Sequence, residues 1–418
     1  MVSKLWKNYD ATSAYDGYFT EDNKLRKHAT IISGILERHG KKKLQEIEKN
    51  CQSTISSRGI NFRVYAANNR AEEKKWPLDI IPRIIPKTQW NKVSKGLKQR
   101  VTALNLFIDD VYNQKKIFKD NVIPKEIIFK SPYYVKECEG FSPKYKAWSN
   151  ISGVDLIRNK SGEYLVLEDN LRVPSGVSYM LENRMVMRDV FPELFTRYKV
   201  AEIHQYTNKL YNCMIECIPK KKANPHMVVL TPGIYNSAYF EHSFLAEQMG
   251  IALVEGKDLF VENDNVVYSY VNKMIVYYLG EQPVLYQVET YLCHDEIQKD
   301  YVIENISKLV VKPANASGGY GIMIGPKAPK EEREEVIKKI KKNPREYIAQ
   351  PLETLSTAPT ITKDDIEPRH LDLRPFILSG KSTYVTTGGL TRVALRKGST
   401  IVNSSQGGGS KDTMVVDI

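Results

Sequence analysis

No run of about 18 consecutive apolar residues, the length a helix needs to cross a bilayer, occurs in these 418 residues. A membrane-spanning helix is therefore not expected. The opening MVSKLWKNYDATSAYDG has no apolar stretch of the signal-peptide kind, so the expected location is the cytoplasm. Cysteine is scarce. Cys51, Cys138, Cys213, Cys217 and Cys293 are odd in number and scattered, which argues against a disulfide framework and for free thiols. Cys213 and Cys217 would share a helix face, but no second pair or neighbouring histidine completes a zinc site. The seven histidines form no spaced cluster, and His370 is read as structural. No internal repeat is evident, and low complexity is confined to the glycine run 407–409.

What is present points to a multi-unit globular chain. Its hydrophobic fraction of 42% is ample for buried cores at this length. The net charge of +12 favours anionic partners: ATP, carboxylates or nucleic acid. Runs such as Lys41–Lys43 and Lys338–Lys339 read as solvated helix faces. The interleaved aromatic and basic motifs of nucleic-acid modules are missing, so specific nucleic-acid recognition is not expected.

The stretch Gly153–Tyr179, GVDLIRNKSGEYLVLEDNLRVPSGVSY, reads as strand, tight turn, strand, then polar loop. Residues two apart on a strand face the same way, so Glu168 and Asn170 project together. Asp155, on the paired strand, can reach the same place. Two carboxylates and an amide oxygen form the all-oxygen set that Mg²⁺ takes when it also carries phosphates. The alternative is a surface hairpin with solvated acids. The apolar Leu165-Val166-Leu167 leading into Glu168 favours a site at a buried strand end.

A second segment runs from the apolar strand Leu309–Pro313 through Ala314-Asn315-Ala316-Ser317-Gly318-Gly319-Tyr320-Gly321 and back as Ile322-Met323-Ile324. A glycine-rich turn lets backbone N–H groups converge on a phosphate, with Lys312 as a point charge beside them. It is not a Walker-type loop, because the lysine precedes the glycines and strands flank the turn. In the third segment, His370–Ser410, alternation suggests three strands. Asp372 and Arg374 share a face there, with Arg392 and Asn403 able to line up beside them. Arginine suits phosphate and carboxylate because its planar fork binds two oxygens at once. The run 406–410 reads as a flexible tail or a second anion-binding turn.

Together these segments resemble the ATP-grasp superfamily in circularly permuted order. LEDNLRVPSGVSYMLENR, VVKPANASGGYGIMIGP, YIAQPLETLSTAPT, RHLDLRPFIL, GGLTRVALR and VNSSQGGGSKDT are similar to the bacterial circularly permuted type 2 ATP-grasp proteins, often described as glutathionylspermidine-synthase-like. WPLDIIPRIIP and GLKQRVTALNLFIDDVY extend the likeness over nearly the whole chain. The resemblance implies an α/β fold of ATP-grasp type, divided as follows. Residues 1–130 form a mostly helical region, and 131–200 a metal-site lobe. Residues 201–280 form a small α/β pre-ATP-grasp domain, with a strand at Met227–Leu230, a helix at Tyr239–Met249 and a strand at Ile251–Val254. The lid lies in 281–350, and the sheet lobe in 351–418.

The implied activity is ADP-forming, Mg²⁺-dependent ligation of a carboxylate to an amine through an acyl phosphate. Mg²⁺ would sit on Asp155, Glu168 and Asn170. Lys312 and the Ser317, Gly318 and Gly319 amides would hold ATP phosphates. Arg374 and Arg392 would stabilise the transferring phosphoryl group. Asp372 would take the ribose hydroxyls, and Ala349–Leu352, with Gln350 and Leu352, would form the adenine hinge. Arg172 and Asn403 would contact substrate or phosphate. The expected partners are a small-molecule or peptide carboxylate and an amine, with no membrane partner, and the chain could form a homo-oligomer. One departure stands out. In the family several tens of residues, including a lysine on the nucleotide α-phosphate, separate the segments that here meet at Tyr268-Ser269. Lys273 lies near but does not match that lysine. This motivates the alternative of a catalytically weak nucleotide-binding scaffold.

Overall fold

Trp90, Val93, Leu97, Val101, Leu104 and Ile108 recur at helical three- and four-residue spacing, and all are buried along the helix Lys87–Tyr112. The part of that stripe formed by Trp90, Val93, Leu97 and Val101 packs on one face of a large sheet, against Val154, Leu156, Val166, Leu373, Ile377 and Val415. The other face is covered by the helices Thr30–Ser57 and Val177–Val190. There Ile80, Ile84, Phe376, Leu390, Met414 and Val416 join the core. In this computed structural model the described residues are 5–65, 71–129, 131, 134–172, 174–218, 225, 227–255, 271–314, 321–362, 365–396, 398–399, 402 and 408–417.

Named by residues, the main sheet runs in the order Thr383–Val385, Phe376–Ser379, Ile151–Arg158, Ile366–Arg374, Leu390–Val393, Gly409–Val416 and Leu78–Pro86. Tyr164–Asn170 pairs with Ile151–Arg158, and Thr357–Ile361 with Ile366–Arg374. Every pairing is antiparallel except Gly409–Val416 with Leu78–Pro86. A smaller antiparallel sheet has the order Met323–Ile324, Leu309–Pro313, Tyr347–Pro351 and Tyr291–Leu292. Its own core includes Val302, Ile306, Val311, Ile340 and Ala349. A third unit pairs the parallel strands Val228–Thr231 and Ala252–Glu255 and packs the helix Tyr239–Met249 on them.

Residues 1–130 hold more than the helices Thr30–Ser57 and Lys87–Tyr112: the hairpin Asn61–Tyr65 with Ala71–Lys75 and the sheet strand Leu78–Pro86 also fall inside them. Pro82 lies inside that last strand, although a proline cannot donate to a central ladder. Here it lies in a strand at the end of the sheet order, where the register shifts between Lys411 and Thr413, and such edges and bulges tolerate proline. Gly409 and Ser410 form neither a tail nor an anion turn; they start a wholly buried strand between two others.

Candidate functional site

Asp155 lies opposite Glu168, and Gly153 opposite Asn170, on neighbouring antiparallel strands. Directly opposed residues share a sheet face, which brings the three oxygen-bearing side chains together. Between Asp155 and Leu156 the partner jumps from Glu168 to Val166, leaving Leu167 as the extra residue of a bulge that re-aims the end of the strand. Across the sheet, Asp372 lies opposite Arg392.

The centre is a buried knot of charge. Arg374 grips Asp155 from both arms of its fork, Nε to Oδ1 at 2.5 Å and Nη2 to Oδ2 at 2.7 Å. Arg392 Nη2 donates to the same Oδ2 at 2.7 Å, while its Nε donates to Asp372 Oδ1 at 2.9 Å. Asp155 is only 2% exposed. Burial alone would raise its carboxyl, but the Arg374 and Arg392 guanidiniums outweigh that and hold it at about 2. Glu168 is exposed on its strand yet crowded by protein. That crowding and the charge of Asp155 push its carboxyl up. Lys312, from the smaller sheet, lies near enough to Glu168 and Asp155 for their charges to act on it. Burial lowers its amine and the two carboxylates resist. These six groups, three acids and three cations, form one mutually balanced cluster.

The hinge read from the sequence at Ala349–Leu352 would act mostly through backbone, and the Gln350 side chain has partners of its own. Its Oε1 accepts Lys312 Nζ at 2.6 Å and its Nε2 donates to Thr290 Oγ1 at 2.9 Å, so its side chain fixes the lysine. Leu352, just past the same strand, is exposed. Asp372 departs from its expected ribose contact. It is 1% exposed, and both its oxygens are taken by Arg392, so it acts as the holder of that arginine. Arg172 is exposed two residues beyond Asn170. Ser317, Gly318, Gly319 and Asn403 lie outside the described residues.

Two residues escaped the sequence reading. Asp169, between Glu168 and Asn170, must face the other way, and it meets Arg100 there. Nε donates to Oδ1 at 2.8 Å and Nη2 to Oδ2 at 2.6 Å, with both side chains sealed from solvent. Strand alternation carried that signal. Glu241, buried on the helix Tyr239–Met249, accepts the Gly176 and Ser178 amides. Nothing local to its sequence announces it.

The residues present fit Mg²⁺. Asp155 Oδ1 accepts only one of the described bonds, from Arg374, and keeps lone-pair capacity. Asn170 Nδ2 is buried without a hydrogen-bond partner among the described residues. An amide left so can turn its oxygen toward an arriving cation. The donors are all oxygen and hard, as this ion requires.

Comparison with known proteins bears on the same region. Residues 82–268 and 263–394 match the family described as circularly permuted ATP-grasp type 2. An uncharacterized protein of Synechocystis sp. is 41% identical over 98% of each chain. An uncharacterized protein of Mycobacterium tuberculosis is 40% identical over 86% of this chain and 76% of its own. A Frankia casuarinae protein provisionally named glutamate–cysteine ligase 2-2 is 35% identical over 99% of this chain but only 55% of its own length. Among solved structures, a glutathione synthetase-like effector from Globodera pallida, in its apo form, superposes with a TM-score of 0.53 at 10% identity. That match covers 90% of this chain and 98% of the effector, and it speaks for the fold alone. The two family matches meet at residues 263–268. The Synechocystis alignment spans 474 positions, more than the 418 residues of this chain, so that relative carries residues with no counterpart here. The chain belongs to the circularly permuted ATP-grasp type 2 family and is an ATP-dependent ligase of ATP-grasp fold.

Proposed function

We propose that the protein joins a carboxylate to an amine through an acyl phosphate, with Mg·ATP as the phosphoryl donor. The observation that carries this reading is the sharing of Asp155 between Arg374 and Arg392, with Glu168 and Lys312 in electrostatic contact across the cleft. Preorganised cations aimed at one point suit a group that carries its charge on moving oxygens. Arg374 and Arg392 would meet the γ-phosphoryl group. Lys312, held by Gln350, would hold phosphate oxygens. Asp155, Glu168 and Asn170 would hold Mg²⁺, which supplies charge neutralisation of the nucleotide phosphates when bound.

In the first step a carboxylate oxygen attacks the γ-phosphorus, the bond to the β-bridging oxygen breaks, and ADP leaves. In the second the amine attacks the acyl carbon, phosphate departs with the C–O bonding pair, and the nitrogen loses a proton. The name carried by the Frankia relative describes amide formation between an acid and an amine, which agrees with this class of reaction.

The test is nucleotide analysis of reactions run against pools of amino acids, peptides and polyamines, with hydroxylamine present to trap an acyl phosphate. ADP, phosphate and a hydroxamate are expected; AMP and pyrophosphate would rule the chemistry out. The family segment that by resemblance is missing at Tyr268-Ser269 motivates a second reading, a nucleotide-binding scaffold of low activity. Binding of Mg·ATP without turnover of any pool would select it.

A further inference from the structure

Gly176 stands immediately before the helix Val177–Val190 with φ of 109°, a conformation that favours glycine, and a Cβ there would come within 2.6 Å of Leu390 Cδ2. Its N–H, and those that follow, open the first turn of the helix and need acceptors. No side chain of this segment caps the turn. The acceptor comes instead from the small α/β unit: Glu241 takes the Gly176 N–H on Oε1 at 2.8 Å and on Oε2 at 2.7 Å, and the Ser178 N–H on Oε2 at 3.3 Å. Ser178 Oγ in turn donates to the Glu241 carbonyl at 3.4 Å. One residue before Gly176, the Ser175 carbonyl accepts Arg374 Nη1 at 3.2 Å. The chain of contacts therefore runs from the helix Tyr239–Met249, through the 175–178 turn, to a guanidinium on Asp155.

Glu241 is 5% exposed. Burial pushes its carboxyl up to about 7, against the pull of the Gly176 and Ser178 amides and of Arg374. A charge is being held where it costs stability, and such positions mark function more often than packing.

We propose that Glu241 is a positioning residue: by clamping the 175–178 turn it fixes the Ser175 carbonyl and, through it, the arm of Arg374 that Asp155 leaves free. This rests on the reading of Arg374 as the group that meets the transferring phosphoryl. It adds that the small α/β unit, which brings no side chain to the cluster of six, sets the aim of that arginine.

The experiment compares the full chain with Glu241→Ala, Glu241→Gln, Arg374→Ala and the Glu241→Ala/Arg374→Ala double variant. Two probes are titrated by calorimetry: Mg·ADP, and Mg·ADP with aluminium fluoride, a mimic of the phosphoryl group in flight. Glu241→Ala is expected to leave Mg·ADP affinity within about threefold while weakening the aluminium fluoride complex by about tenfold or more, because only the latter calls on an aimed Arg374. Glu241→Gln keeps one acceptor oxygen and should recover part of the loss. The double variant should be no weaker than Arg374→Ala, since residues acting through one another are not additive. Equal losses for both probes in Glu241→Ala, or additive losses in the double variant, would overturn the proposal in favour of a structural cap. If Glu241→Ala does not fold, Glu241→Gln carries the same comparison with an expected loss of about threefold. A wild type that binds Mg·ADP but gains nothing from aluminium fluoride refutes the role of Arg374 itself. A wild type that binds no Mg·ADP refutes the nucleotide site and this inference with it.

Discussion

Arg374 and Arg392 divide the work around Asp155. Arg392 is pinned on its own strand face by the bidentate Asp372, whereas Arg374 is held by Asp155 and one carbonyl. Both should be felt more in the transition state than in nucleotide binding, so Arg374→Ala and Arg392→Ala are each expected to lower turnover about a hundredfold or more. ATP affinity should fall far less, and steady-state kinetics on any substrate pair found by the hydroxamate screen separates the two. Glu241 gives a second prediction at this scale, in stability. Its carboxyl, ordinarily near 4.5, stands at about 7 in the folded chain. A raised carboxyl favours the protonated native state, so its contribution is whole below about 4.5 and is lost as pH climbs through about 7. Arg374, Tyr179 and Tyr206 share electrostatic contact with it. Glu241→Gln cannot ionise. Across that window it should gain on the wild type by about 3 kcal/mol, at about 1.4 kcal/mol per pKa unit. Urea melts at pH 5 and pH 8 read the difference, and a constant offset between the two proteins would refute it.

At the scale of elements, the strand Tyr164–Asn170 shows how one segment serves two neighbours. Glu168 and Asn170 face the cleft, while Asp169 faces the helix Lys87–Tyr112 and is sealed there by Arg100. Asp169→Asn leaves Arg100 buried without its counter-charge, which is expected to destabilise by about 3–5 kcal/mol. Because the same strand carries Glu168 and Asn170, the Mg²⁺-dependent part of nucleotide binding should weaken as well. A melting curve unchanged from wild type would show that the pair does not anchor the strand. Alternation made the cleft-facing residues legible in the sequence, and the same alternation, read on its other face, pointed to Asp169. The strands Leu309–Pro313 and Met323–Ile324 and the helix Tyr239–Met249 were legible too, because their signals are local to the sequence. Leu78–Pro86 was not, because its partner lies more than 300 residues away and its prolines mimic a loop. Glu241 stayed hidden for a related reason: a carboxylate that caps a helix in another unit has no signature near its own position.

At the scale of the molecule, the two family matches meet beside the junction between Tyr268 and Ser269. The matched family runs up to it from one side and away from it on the other, and the Synechocystis relative carries residues that have no counterpart here. By resemblance the family's segment at this place holds the lysine that touches the nucleotide α-phosphate, and Lys273 does not stand at its position. In the proposed function the cluster of Asp155, Glu168, Asp372, Lys312, Arg374 and Arg392 would meet the other end of the nucleotide, and its contacts lie among its own residues. The two ends should therefore be separable. Wild-type protein is expected to be stabilised by Mg·ATP, since a ligand of the native state alone shifts unfolding by mass action. The stabilisation should be modest on the scaffold reading, in which one phosphate would lack its cation. A chimaera carrying the Synechocystis segment between Tyr268 and Ser269 should bind Mg·ATP about tenfold more tightly, the worth of about 1.4 kcal/mol from one restored charged contact. Glu168→Gln in that chimaera should still remove the Mg²⁺-dependent part. If the chimaera folds and binds no better than wild type, the junction has no bearing on the nucleotide. If wild type already binds as tightly as the chimaera and turns over substrate, the scaffold reading loses its motive.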